Sequence, residues 1–257
     1  MGRVEFIRVC EMRVAVYTCV TNGYDDISSP VILTPSVDYI CFNDGSIDVP
    51  TPWKDVKIDR KYFGKDANRY LKILPHLNNI LQVYDLTIYI DGSVKIVGDL
   101  TPLIQQINDK DELIGIYEHP YRNCIYKEAY ACATIGHDWF WRIESQIISY
   151  KDNKYPANAG LFECGVLLRR HTDKNVQALM NAWWGAYQSG IKRDQISLPY
   201  LAWRLGIPIH NLGRSDLRFD QKYFCLKLFH HHALTTKISD IIRRYINRKF
   251  YIIFPRR

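Results

Sequence analysis

Tyr84-Asp-Leu-Thr-Ile-Tyr-Ile-Asp-Gly-Ser-Val-Lys-Ile-Val-Gly-Asp-Leu100 is the stretch that decides how this chain folds. Within it, Leu86 to Ile90 is β-branched, aromatic and apolar without clean alternation, the pattern of a strand buried on both faces of a mostly parallel sheet. The run then breaks into Asp91-Gly92-Ser93: a carboxylate, a flexible residue and a hydroxyl at the edge where open α/β sheets bind ligands. Gly92 lets the backbone approach a ligand closely. A carboxylate beside a second oxygen donor suits Mg²⁺ or Mn²⁺ carrying a diphosphate. Asp-Gly is also a common turn signal by itself, so the surroundings have to decide between site and turn.

Upstream, Val14 to Thr18 reads as a strand that runs into the polar turn Thr21 to Asp26. Asp38 to Phe42 reads as a second, ending in Asn43-Asp44-Gly45, and Trp53 to Ile58 as a third. Asp66 is positioned to cap a helix from Ala67 to Leu74 that carries Arg69 and Lys72 on one face and stops at Pro75. Downstream, Leu100 to Ile107 is helical, and Leu113 to Tyr117 is a strand emerging into Glu118-His119-Pro120-Tyr121-Arg122. A helix from Cys124 to Thr134 carries Glu128, and the polar run Tyr150 to Ala157 reads as a loop over one edge of the site. Asn158 to Leu168 gives another strand, entered through a small-residue turn. Val176, Leu179, Met180, Trp183 and Tyr187 fall at helical spacing between Asp173 and Ser189, a core stripe that Gly190 terminates. Arg193-Asp194-Gln195 opens a further helix ending at Gly206, and Ile207 to Leu212 is a last strand that leaves His210 at its end. Strands alternating with helices predict an α/β fold with a mainly parallel sheet.

Apolar residues at 47% and charged residues at 24% exclude disorder. The seven cysteines include no Cys-X-X-Cys pair, so they predict neither a disulfide framework nor a zinc site. No segment approaches the roughly 18 to 20 consecutive apolar residues of a membrane span, and Met1 to Glu11 lacks a signal-peptide core. A cytosolic location is expected. The net charge of +7 is concentrated: Lys237 to Arg257 holds seven basic residues and one acid, leaving the rest nearly neutral. That distribution speaks against a nucleic-acid footprint and for a basic appendage. The division expected is a domain over 1–232 and a tail over 233–257.

Acidic or hydroxyl residues end several strands, and a basic helix precedes the central one. Such a set suits a nucleotide diphosphate: acids and amides hold ribose and base, Arg and Lys neutralise phosphate, and a metal bridges. Neither Gly-X-Gly-X-X-Gly nor a P-loop occurs, so the nucleotide is expected as the handle of an activated donor.

The order of motifs resembles the glycosyltransferase-like domain of plant seed-mucilage proteins and bacterial polysaccharide loci, once filed as a domain of unknown function and related to GT-A glycosyltransferases. The residues that carry the resemblance are Tyr17-Thr18 with Gly23-Tyr24-Asp25, Cys41-Phe42-Asn43-Asp44, Trp53-Lys54, Arg69 to His76, Tyr89 to Ser93, and His119 to Cys124 with Glu128. It spans about residues 13 to 212. The resemblance implies a GT-A fold, a nucleotide-sugar donor (a UDP-sugar) and transfer, with retention, to a hydroxyl of a glycan or lipid-linked glycan in surface polysaccharide or glycolipid assembly. Asp91-Gly92-Ser93 falls where GT-A enzymes carry Asp-X-Asp, with Ser93 replacing the last carboxylate. Asp91, Ser93 and His210 are therefore the implied metal positions for Mn²⁺ or Mg²⁺, with Arg69 and Lys72 the alternative carriers of phosphate charge. Thr18, Tyr24, Asp25, Asp44, Arg69, Lys72, Asp91, Gly92 and Ser93 form the implied donor site. Asp194 and Gln195 resemble the pair beside the sugar in retaining relatives, while Glu128 or His119 would serve an inverting reaction as base. Arg122, Asn158 and Gly160 are implied on the acceptor side. Glu128 with Arg122 also reads as a plain surface ion pair. The rival functional class is a catalytically weak nucleotide-sugar-binding or scaffold subunit, which the Ser93 replacement favours.

In the tail, Ile238, Ile241, Ile242, Tyr245 and Ile246 fall at helical spacing, with Lys237, Arg244 and Arg248 largely on the other side. This basic amphipathic pattern predicts a helix lying on an anionic membrane surface at the inner face of the cytoplasmic membrane. The alternative is a helix packed on the domain, or between subunits of a homodimer, with its basic face in water. His230-His231-His232 reads as a linker.

Overall fold

The computed structural model describes residues 12–59, 66–227 and 238–253. Its strands are β1 (Val14–Val20), β2 (Val37–Asn43), β3 (Lys54–Lys57), β4 (Leu86–Ile90), β5 (Val94–Ile96), β6 (Ile114–Glu118), β7 (Phe162–Arg169), β8 (His210–Arg214) and β9 (Phe224–Leu226). Its helices are α1 (Ala67–Ile73), α2 (Thr101–Asp109), α3 (Ile125–Thr134), α4 (Phe140–Asp152), α5 (Lys174–Ser189), α6 (Asp194–Leu205) and α7 (Ile238–Ile253). A seven-stranded sheet has the order β3-β2-β1-β4-β7-β6-β8, and β5 pairs with β9 in a small second sheet. β4 is the middle strand, as its sequence predicts. Within the seven-stranded sheet β7 runs against its neighbours, antiparallel to both β4 and β6.

Alternation explains why the central strands are apolar throughout. Ala15, Tyr17 and Cys19 of β1 face one core, shared with Leu71 of α1, Ala129 of α3, Ile143 of α4, Trp183 of α5 and Leu198 of α6. Val14 and Val16 face the other, with Leu86, Ile88 and Ile90 of β4 and Leu103 of α2. Both faces of the sheet are thus covered, which is the condition for a parallel sheet. The mainly parallel sheet flanked by helices, with a helix at the C-terminal end, meets the expected GT-A class. All six described cysteines are free, and five of them are buried core residues.

Several local expectations change. Helix α4 has no sequence-local start signal: its cap residue Trp139 makes no side-chain bond. The first amide, Phe140 N–H, instead donates to Asn247 Oδ1 at 3.0 Å, from a residue 107 positions away. Tyr150 to Ala157 is not a loop over the site, because Tyr150 belongs to α4 and stacks on Tyr200 at 3.8 Å, while Tyr155 meets the same ring edge-on. Burial of aromatic area outweighs the polar residues around it. Asp66 does not cap α1; its carboxylate accepts from Tyr187 Oη at 3.1 Å and faces Lys192.

Helix α7 departs from the alternative of packing on the domain with its basic face in water. Its polar side turns inward: Asn247, fully buried, donates to the carbonyls of Ala133 and Asp138. Arg243 and Arg248 donate to the carbonyls of Gly136 and Thr134. These are the exposed peptide ends of α3, where cations are favoured by the helix dipole. Ile238, Ile241, Ile242 and Ile246 face outward instead. Lys237, Arg256, Arg257 and His230-His231-His232 lie outside the described residues. No described helix is long and apolar enough to cross a membrane.

Trp183 joins core to sheet edge, since its fully buried indole donates Nε1–H to the Asp194 carbonyl at 3.2 Å. Trp183→Ala is expected to lower unfolding free energy by about 3–5 kcal/mol in a urea titration. A loss under about 1 kcal/mol would show that α5 is not anchored through this ring.

Candidate active site

The carboxyl edge of β4 is built by close packing. A side chain at Gly92 would lie 2.9 Å from Val20 and 3.0 Å from Asp25, so only glycine lets the loop after β1 lie against the loop after β4. Asp91 N–H donates to Gly165 of β7, which fixes the carboxylate at the rim of a cavity of about 540 Å³. That volume suits a small polar ligand such as a sugar diphosphate.

Three groups of side chains line it. In the first, α1 delivers Lys72 and Arg69 from the same face. The Lys72 side chain is 1% exposed, and its Nζ donates to Asp194 Oδ2 at 2.8 Å and Asp91 Oδ1 at 3.2 Å, over the ring of Tyr89. Tyr89 Oη donates to the same Asp91 oxygen at 2.9 Å. Arg69 lies 3.6 Å from Asp91 and 4.0 Å from Asp194. Burial alone would raise the Asp194 pKa, but Lys72 and Arg69 outweigh it and hold the carboxyl well below the usual range. Asp194 also opens α6, where a negative charge is favoured by the helix dipole.

The second group surrounds Glu128, whose side chain is nearly fully buried between Arg122 at 2.6 Å and Arg193 at 3.4 Å. The plain surface ion pair is thereby excluded for Glu128. His119 Nδ1 accepts from the backbone amides of Tyr121 and Arg122 at 3.1 and 3.0 Å. Nε2 lies between Arg122 Nη2 at 3.2 Å and Glu163 Oε1 at 3.4 Å. Burial, then Arg122, push the His119 pKa down, so the ring is neutral. Gln195 Nε2 donates to Glu163 Oε2 at 2.8 Å, and burial raises the Glu163 pKa. Gln195 Oε1 is buried without a partner among the described residues.

The third group is Asp216, gripped by both arms of Arg218 at 2.7 and 2.8 Å and by the Tyr121 hydroxyl.

Among the sequence candidates, Arg69, Lys72, Asp91, Ser93, His119, Arg122, Asp194 and Gln195 line the cavity, and Glu128 sits directly behind Arg122. Thr18, Tyr24, Asp25 and Asp44 share the sheet edge but do not line it. Asp44 instead holds its own turn, accepting from Asn22 N–H and Ser46 Oγ. Asn158 and Gly160 also lie away from it, on the loop that leads into β7, where Gly160 N–H donates to Asn123. His210 is the clearest displacement. It begins β8 rather than ending a strand, opposite Gly115 near the amino end of β6, and pairs with Glu112 at 3.3 Å. The cavity lies at the other end of these strands. Glu163, Arg193, Asp216 and Arg218 were not singled out by the sequence; a glutamate inside the otherwise apolar run Leu161 to Leu168 was the available signal for the first.

The donor set does not fit the divalent cation implied for this site. Ser93 replaces a carboxylate, His210 is at the wrong sheet edge, and the Asp91 oxygen is already met by Lys72, Arg69 and Tyr89. Among the described residues no three donors group for a metal.

The TOD1/MUCI70 glycosyltransferase-like domain matches residues 51–224, most of the chain. The chain belongs to this family. Membership makes this chain a glycosyltransferase-like enzyme. No curated protein sequence matches the chain. Similar solved structures include mouse xyloside xylosyltransferase 1 in its apo form, with 13% identity over 78% of this chain and 84% of that one, at a TM-score of 0.48. The apo bifunctional glycosyltransferase WbbM shares 12% identity over 94% of this chain and 45% of its own, at 0.48. The glycosyltransferase GlyE of Streptococcus pneumoniae TIGR4 shares 12% over 95% and 52%, at 0.40. The chain thus spans about half the length of the last two. At these identities and TM-scores they add nothing to the family match.

Removing Lys72 strands a buried carboxylate, so Lys72→Met is expected to destabilise the protein by about 3–5 kcal/mol at pH 7. Because the folded Asp194 pKa is depressed, the stabilisation is fully present above the unfolded value of about 4 and lost as pH falls below it. The gap between wild type and Lys72→Met in urea titrations should therefore narrow from pH 7 to pH 3. A constant gap would contradict an ionised Asp194 held by Lys72.

Proposed function

We propose that this TOD1/MUCI70 member transfers a sugar from a nucleoside diphosphate sugar to a hydroxyl of a glycan or lipid-linked glycan, with retention, using the cations of α1 for the diphosphate. The observation that carries this reading is the pairing of Lys72 and Arg69 with Asp91 and Asp194 at the floor of the cavity. Two cations already balance two carboxylates there. An entering diphosphate takes over Arg69, the more exposed of the two, by charge-assisted bonds. Lys72 stays fixed by Asp194 and stabilises the charge that grows on the leaving phosphate oxygen, a preorganised cation that needs no rearrangement.

As the bond from sugar to phosphate breaks, positive charge develops on the sugar ring, and a carboxylate on its face stabilises it. Asp194 is the residue expected there, but its oxygen is held by Lys72. Glu163 is free to serve: its side chain is 35% exposed in the cavity and is aimed by Gln195 and His119. Gln195 thus keeps a place beside the sugar, as a positioning residue. The acceptor hydroxyl passes its proton to the departing diphosphate, so that a glycosidic bond replaces the sugar–phosphate bond. Arg218 and Tyr121 form the outer wall for the acceptor.

Glu163→Gln is expected to lower kcat by about 10²-fold or more with donor Kd within about twofold of wild type. Glu163 acts ionised, so wild-type kcat falls as pH drops through its raised pKa, and this acid limb should disappear in the residual activity of Glu163→Gln. Unchanged kcat in the variant, measured by product chromatography, would remove Glu163 from the reaction.

A further inference from the structure

Helix α7 has an outward face that the domain does not use. Ile238, Ile241, Ile242, Tyr245 and Ile246 are exposed, with Tyr245 at 63% and Ile241 at 55%. They are not exposed for want of a docked helix. The opposite side of α7 is fastened by Asn247, Arg243 and Arg248 to the carbonyl end of α3 and by Asn247 to the first amide of α4. Tyr251 adds a bond to Glu144, and Phe250 stacks on Phe140 at 3.9 Å. Rotating α7 to hide its isoleucines would break these bonds and leave helix ends unsatisfied.

The charge on the outward side is of one sign. Lys249 is exposed beside the apolar stripe, over the Tyr245 ring at 5.7 Å, and Arg244 is exposed at its flank, its stem against Gly136. The only acid of the helix, Asp240, is engaged with Arg243 at 2.7 Å. We propose that this face is a docking surface for an anionic lipid membrane, the isoleucines and Tyr245 entering the headgroup boundary and Lys249 and, from the flank, Arg244 meeting lipid phosphates. Apolar insertion and basic attraction together make the two signals that stable peripheral binding requires. A second copy of this chain is the less complementary occupant, because it would bring the same cations against themselves. The proposal is independent of the sugar chemistry, since vesicle binding is scored without donor or acceptor.

The test is sedimentation of the full chain with sucrose-loaded vesicles of phosphatidylglycerol and phosphatidylcholine, against pure phosphatidylcholine. Binding is expected to the anionic vesicles alone, and to weaken severalfold or more when salt rises from about 0.05 to about 0.5 M. I241D/I242D and, separately, R244E/K249E are each expected to lower the partition coefficient about tenfold or more with an unchanged melting temperature. If the aspartates disturb folding, the charge-reversal pair alone decides. No binding by the intact chain at low salt, or equal binding by R244E/K249E, overturns the proposal. So does a dimer in sedimentation equilibrium that I241D/I242D converts to monomer without any vesicle binding, which would assign the face to a second copy.

Discussion

The buried ammonium of Lys72 is the constraint on which this sheet edge depends. At 1% exposure it is stable as a charge only because Asp194 and Asp91 both reach it. That requirement fixes three elements at once: α1, which carries the lysine; β4, which ends in Asp91; and α6, which opens with Asp194. Arg69 then rests on the same carboxylates from the solvent side. A cluster that is electrically complete before any ligand arrives is rigid, and a rigid cation at the floor of a cavity is what a leaving diphosphate needs.

The reversed strand β7 does the second part. In a parallel sheet, the ligand edge receives residues that follow strands. Because β7 runs the other way, its opening residues Phe162 and Glu163 lie beside Glu118 and Tyr117 at that same edge. Glu163 therefore enters the cavity from the start of a strand, between His119 and Gln195. The backbone amides of Tyr121 and Arg122 that hold His119 Nδ1, the glutamine that spans to Glu163, and Glu163 itself come from three separate segments.

This geometry also explains what was legible. Continuous apolar runs named the central strand with its observed bounds, and helical spacing found α5 with its buried stripe, because both signals are local. Arg69 and Lys72 on one face of a basic helix and Asp91 at a strand end were readable for the same reason, whereas Asp194 was reached through the family resemblance. The capping of α4 by Asn247 was not, since the donor and acceptor are far apart in sequence. Glu163 was passed over because strand ends, not strand starts, are the usual place to look. His210 was assigned to the site because its strand was read as ending there, whereas a start at His210 puts the ring at the opposite edge. The tail was read as amphipathic correctly, but which face meets the domain depends on the unsatisfied carbonyls of α3, which no helical wheel displays.

The most direct test of the central claim is calorimetric titration of a nucleoside diphosphate, and of the matching nucleoside, in buffer containing EDTA. If Lys72 and Arg69 are the diphosphate site, the nucleoside diphosphate binds without added metal, and Arg69→Ala weakens it about tenfold or more while leaving the nucleoside unchanged. Binding that appears only with Mn²⁺, or equal weakening of both ligands by Arg69→Ala, would contradict the account.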